Sequence, residues 1–141
     1  MTFSAPPVPI VVDASLAVEQ IVEPAPRGRT SWDSWVGGGR TILVPSHFWP
    51  EVANAMLRGS RFHPERVRHE IDLLRAEGVE SVAPHERRLL DAIGLASQHG
   101  LTVYDALYVQ LAIETDATLG TLDAAMRRAA EAEGVEVESL D

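Results

Sequence analysis

The chain has 141 residues, 45% of them hydrophobic and 23% charged, the composition of one soluble globular domain that removes about 70% of its unfolded surface from water. It contains no cysteine, which excludes disulfides, thiolate metal sites and a cysteine nucleophile, and no apolar run near the roughly 20 residues that cross a bilayer. The formal charge of −9 favours a basic protein partner; it neither requires nor excludes nucleic acid, because all 12 basic residues are arginine, the side chain suited to bidentate phosphate contact.

The segment Met1 to Pro7 has neither a basic head nor an apolar core, so no secretory signal is expected and a cytoplasmic location is the default. Residues 9–13 read as a first strand that ends on Asp13. A helix starts at Ala14 and is stopped by Pro24 and Pro26. A loop rich in Gly, Arg and Trp is expected next, closed by Gly37, Gly38 and Gly39. Thr41 to Val44 is a short β-branched run before Pro45, consistent with a second strand. Ser46 precedes a helix carrying Glu51, with Pro50 tolerated near its first turn. Pro64 opens a further helix with Val67, Ile71 and Leu74 on one face, and Gly78 closes it. Ser81 to Ala83 is a brief strand. Pro84 to His99 reads as a helix with Leu89, Leu90, Ile93 and Ala96 inward, and Gly100 as its C-cap. Asp105 opens an apolar helix that runs to about Thr115, a strand begins at Ala117, and Asp123 follows it. Gly134 to Glu138 alternates as an edge strand does. With no repeat or linker, residues 1–141 form one domain, and strands alternating with helices predict an α/β fold with a parallel sheet.

Four acids stand beside apolar runs: Asp13, Glu51, Asp105 and Asp123, with no arginine adjacent to any of them. Segment lengths bring three together. The helix from Asp105 spans about 16 Å at 1.5 Å per residue, and the strand after it returns about the same distance. Asp123 thus comes back near the level of Asp105, while Asp13 ends a strand, where ligands of open α/β sheets gather. Ionised carboxylates about 4 Å apart repel by roughly 4 kcal/mol per pair at an effective dielectric near 20. Such a cluster needs shared protons, basic partners or a cation, and all-oxygen ligands suit Mg²⁺ or Mn²⁺. An ion there would polarise a phosphate and activate a water as nucleophile. Ser15 and Thr121, each two residues from an acid, are candidates to hydrogen-bond a carboxylate; alternatively Ser15 caps the first helix and Thr121 only suits a strand.

Val11-Val12-Asp13-Ala14-Ser15, Pro50-Glu51-Val52-Ala53-Asn54-Ala55, Thr102-Val103-Tyr104-Asp105-Ala106-Leu107-Tyr108 and Thr121-Leu122-Asp123 resemble the four signature segments of PIN-domain proteins. The chain is especially similar to VapC-type toxins of bacterial toxin–antitoxin pairs, over residues 9–139. The resemblance implies a three-layer sandwich with a central parallel sheet flanked by helices. It also implies a Mg²⁺- or Mn²⁺-dependent endoribonuclease, a homodimer and a cognate VapB-type antitoxin that blocks the site. By motif match Asp13, Glu51, Asp105 and Asp123 are the catalytic acids, with Asp13, Asp105 and Asp123 on the metal and Asp116 an accessory. The proline-rich N-terminus and the loop from Trp32 to Gly39 depart from the pattern.

Arg58, Arg61, Arg66 and Arg68 form a basic stretch for RNA phosphates or an acidic partner segment, or else a solvated face paired with Glu65 and Glu70. Trp32, Trp35 and Trp49 suit core or interface packing, or base stacking. His47 and Glu51 have i, i+4 spacing, but Pro50 is expected to interrupt the helix between them, so a zinc pair is not expected. The helices over 64–77 and 84–99 offer faces for a partner or a second copy. Two other functions use the same acids: a phosphatase of a small metabolite, which a small-molecule screen would reveal, and an inactive scaffold, which would cut no RNA. For a ribonuclease, single-stranded loops are where sequence is readable.

Overall fold

The computed structural model describes residues 6–140; the reading of the first five residues lies outside it. Four short strands, Ile10–Val12 (β1), Ile42–Pro45 (β2), Val79–Val82 (β3) and Thr118–Gly120 (β4), form one all-parallel sheet in the order β3-β2-β1-β4. β1 is apolar at every position and fully buried, as a strand covered on both faces must be. Ile10 pairs with Ile42 on one side and Thr118 on the other, and Val12 pairs with Gly120.

The helices are Ala14–Val22 (α1), Arg29–Gly37 (α2), Phe48–Asn54 (α3), Pro64–Ala76 (α4), Glu86–His99 (α5), Val103–Thr115 (α6) and Ala124–Ala132 (α7). A π-helical turn, Ala55–Gly59, extends α3. The chain steps from β1 to β2 to β3 in one direction and returns from β3 to β4 in the other. Right-handed crossovers therefore put α1 to α4 on one face and α5 and α6 on the opposite face. α6 packs on β1, β2 and β4, and α5 packs on α6. The result is the expected α/β sandwich of three layers.

Four local expectations are corrected. The stretch expected as a loop contains α2: its residues are weak helix formers, but Trp32 and Trp35, three apart, put both indoles on one buried face. Both rings are therefore core, not a stacking surface. On α5 the inward residues are Arg88, Ala92, Leu95 and Ala96, while Leu89, Leu90 and Ile93 are exposed. Small side chains let α5 approach α6, and Arg88 is neutralised by Glu114 at 2.9 Å. The brief strand is β3, two residues earlier than expected. The C-terminal alternation gives only a bridge, in which Leu119 N–H donates to Glu136 O and Glu138 N–H to Leu119 O.

Gly120 is required where it stands. A Cβ there would lie 2.9 Å from Trp35 Cη2 and 3.2 Å from Ile10 Cδ1, and an indole wedged into a core has nowhere to retreat. Gly120→Ala is expected to lower stability by about 1–3 kcal/mol, read as a shift in the urea midpoint; a change within about 0.5 kcal/mol would mean that Trp35 relaxes freely.

Candidate active site

All four acids stand at helix N-termini along the C-terminal edge of the sheet. Asp13 follows β1 and is the N-cap of α1; Asp123 follows β4 and is the N-cap of α7. Glu51 lies in the first turn of α3, and Asp105 in the first turn of α6, whose N-cap is Thr102. Each helix brings unpaired N–H groups and the positive end of its dipole to the acids, which offsets part of their repulsion.

Asp13 is 4% exposed. Its Oδ1 accepts from Leu16 N–H at 3.0 Å and its Oδ2 from the Thr121 hydroxyl at 2.8 Å. Burial, abetted by the charges of Asp105 and Asp123, outweighs these hydrogen bonds and pushes its carboxyl up to about 6. Asp105 is raised too, by burial first and then by Asp123 and Glu51. Thr121, fully buried, also accepts from Asp123 N–H at 3.0 Å, so one hydroxyl joins two of the acids. Asp123 Oδ1 accepts from Met126 N–H at 2.8 Å.

Glu51 is held by Tyr108, which carries no role of its own in the sequence, and by His47, whose i, i+4 spacing the sequence discounts because of Pro50. Its Oε1 lies 3.1 Å from the Tyr108 hydroxyl, which donates, and 3.1 Å from His47 Nε2. Burial, and then the charge of Glu51, keeps the Tyr108 proton in place. The expected break at Pro50 does not occur. α3 starts at Phe48, so Pro50 falls in the first turn, where its missing N–H costs no helix bond, and His47 and Glu51 meet. The spacings 47/51 and 105/108 carried both signals.

Of the remaining candidates, Ser15 is exposed on α1 beside the acids, but Asp13 rather than Ser15 caps that helix. Asp116 is not brought to the site. It caps the C-terminus of α6 with φ 51°, before β4, at the sheet edge opposite Asp123. Arg58 and Arg61 are exposed after α3, next to Gly59 and Ser60. Arg66 lies over the Phe62 ring at 3.7 Å and near Glu70 at 3.8 Å. Trp49 is partly buried, with Arg75 over its ring. From the acids a groove of about 500 Å³ runs between α1 and the π-helical turn, past Ser15, Val18, Val22, Glu51, Gly59 and Leu122.

Among the described residues no arginine pairs with any of the four acids. Arg127 comes near, but donates to the carbonyls of Thr121 and Glu138. No three acids or histidines among those residues form a ready metal cage. Magnesium does not require one, since it keeps several waters and takes one or two carboxylates. A buried Asp13 with two partly exposed carboxylates beside it suits an open, hydrated hard cation.

A family model described as PIN domain matches residues 10–132. Solved structures agree in fold. VapBC2 from Rickettsia felis, bound to a DNA fragment from their promoter, aligns with a TM-score of 0.69 at 17% identity, over 94% of this chain and 98% of that one. PAE2754 from Pyrobaculum aerophilum gives 0.68 at 19% over 92% and 83%, and FitAcB from Neisseria gonorrhoeae 0.61 at 16% over 92% and 96%. Identities this low speak to fold alone. No curated protein matches.

The Asp13 carboxyl binds its proton more tightly folded, at about 6, than unfolded, at 3.8. The native state thus holds the extra proton between those values, and stability falls as pH rises through that window. Asp13→Asn is expected to stabilise the metal-free protein by roughly 1–3 kcal/mol at pH 7.5, with the gain closing toward pH 4. Thermal melts across that range check it, and an unchanged or lower midpoint at pH 7.5 would contradict it.

Proposed function

The chain belongs to the PIN domain family, and from that premise we propose a Mg²⁺- or Mn²⁺-dependent endoribonuclease, the toxin of a cytoplasmic toxin–antitoxin pair. The observation that carries this reading is a set of carboxylates at one sheet edge, one of them buried, with no arginine to neutralise them. Asp13, Asp105 and Asp123 would hold the ion, and Glu51 completes the acidic quartet. When bound, the ion supplies charge neutralisation, polarisation of a phosphodiester and a lowered pKa for a coordinated water.

The chain's own residues do the rest. Thr121 fixes Asp13 and Asp123 relative to each other through one hydroxyl. Tyr108 and His47 anchor Glu51 by Oε1, which leaves Oε2 to take a proton from the attacking water. The four helix N-termini favour the phosphate that approaches them. RNA, rather than DNA or a small phosphate ester, is the substrate named by the VapC-type resemblance.

A VapB-type antitoxin is the proposed partner. The groove beside α1 runs into the acids, so a segment lying in it covers them, and the net charge favours a basic one. Arg58 and Arg61 flank in sequence Gly59 and Ser60, which line that groove, and would meet RNA phosphates or acidic groups of that partner. Leu90 and Ile93, exposed on α5, support a homodimer. Among the described residues no helix is long and apolar enough to cross a membrane.

Asp13→Ala and Asp105→Ala are each expected to lower RNA cleavage at least about 100-fold with the circular dichroism spectrum unchanged, and to relieve growth arrest on expression. Thr121→Val and Tyr108→Phe, which remove hydrogen bonds to the acids, should cost about 10- to 100-fold. Full cleavage by both aspartate variants would defeat the proposal.

A further inference from the structure

What holds a strand beside the acids is legible on the neighbouring surface, and the inference rests on the RNA-cleaving reading above. Tyr104 immediately precedes Asp105, and at 65% exposure it is the most exposed large hydrophobic side chain among the described residues. A single exposed ring needs no explanation by itself. Its surroundings do. The ring leans on His47, with centroids 5.7 Å apart at 57°, and His47 meets the buried Tyr108 edge-on at 4.9 Å. His47 Nε2 lies 3.1 Å from the Tyr104 carbonyl oxygen and 3.1 Å from Glu51 Oε1. Both are acceptors, so Nε2 carries the hydrogen and the imidazole is pinned from two directions. Three rings thus form a row from the core to solvent, ending in an open aromatic face next to the acids.

Beyond His47 the surface dips into a groove of about 160 Å³ between the ends of β2 and β3 and the helices α5 and α6. Pro45, Val82, Pro84 and Leu107 make it largely apolar, and Ser46, His47 and His85 also line it. Leu107, in the groove wall, lies one turn from Tyr104 on α6, so the wall and the exposed ring belong to one helix. The groove does not suit a phosphate. Its one arginine, Arg88, is buried and engaged, with Nε donating to Glu114 at 2.9 Å and Nη1 to the Ala83 carbonyl at 2.8 Å. A largely apolar slot, with the Tyr104 ring close by across His47, fits a flat ring with polar edges. It is joined to the acids through His47, which contacts both.

We propose that Tyr104, His47 and this groove form a subsite that stacks and shelters one unpaired nucleobase adjoining the phosphate addressed by the acids. Stacking accepts any base, so the subsite selects for single-stranded RNA more than for sequence. Paired bases are excluded because a duplex hides their faces.

The test is a titration of the full chain, with Ca²⁺ in place of Mg²⁺, into short single-stranded RNAs carrying one 2-aminopurine at successive positions. Stacking on an aromatic ring quenches this probe. Wild type and Tyr104→Phe are expected to quench it at one position, and Tyr104→Ala to lose that quenching and bind about 10-fold more weakly. An abasic nucleotide at that position should weaken binding to the wild type by a similar factor and leave Tyr104→Ala unaffected. Equal quenching by wild type and Tyr104→Ala overturns the subsite, as does quenching at no position. Cleavage with Mg²⁺ in parallel separates the two readings. RNA that stacks but is never cut refutes the nuclease alone; cleavage indifferent to Tyr104 and to base removal refutes the subsite alone.

Discussion

The burial of the Asp13 carboxylate is the constraint from which the rest of the site follows. A lone carboxylate at the end of an apolar strand is expensive, and the molecule answers it from two sides, with the first turn of α1 and the hydroxyl of Thr121. The second answer dictates topology. Thr121 can reach Asp13 only if β4 lies directly beside β1, and where the two strands pair Gly120 leaves room for Trp35. The helix α2 supplies that indole, so an element that carries none of the acids packs directly against the strand that leads to Asp123.

The four acids differ in depth, and the difference divides their tasks. Asp13 is buried, Asp105 half-buried, Glu51 and Asp123 exposed. The buried one is the least free to move and the most burdened by its charge, which under the proposed function would make it the anchor of the cation. The exposed ones keep access to solvent and so to substrate. Under the proposed function the site opposes stability: the same crowding that weakens the metal-free fold would suit a doubly charged ion.

Much of this was legible in the sequence. The run Ile10-Val11-Val12 ending in Asp13, the helix opening at Asp105 and the short return to Asp123 placed three acids at one edge by length alone, and the structure agrees. Where periodicity was ambiguous, the reading failed for a physical reason. Leu89, Leu90 and Ile93 look like the core stripe of α5, yet alanines and a paired arginine pack inward because the neighbouring helix is close. The α2 segment has poor helix formers, and only the burial of two indoles decides it. Pro50 reads as a breaker unless the helix is known to start at Phe48, and that one offset hid the contact between His47 and Glu51. Asp116 lies seven residues before Asp123, but β4 intervenes and carries it to the far edge.

The pairing of β1 with β4 also fixes when the site comes into being. Asp13 and Thr121 are 108 residues apart in sequence, and the central strand has no neighbour on that side until β4 has been made. Contacts of such long range form late, after the local helices and the β1–β2–β3 half. During synthesis from the N-terminus, a chain cut short before Thr121 holds Asp13 without its hydroxyl partner and lacks Asp123 altogether. For a protein whose proposed activity is harmful to its own cell, a centre that needs Asp13 together with Thr121 and Asp123 is incomplete in any copy broken off before β4.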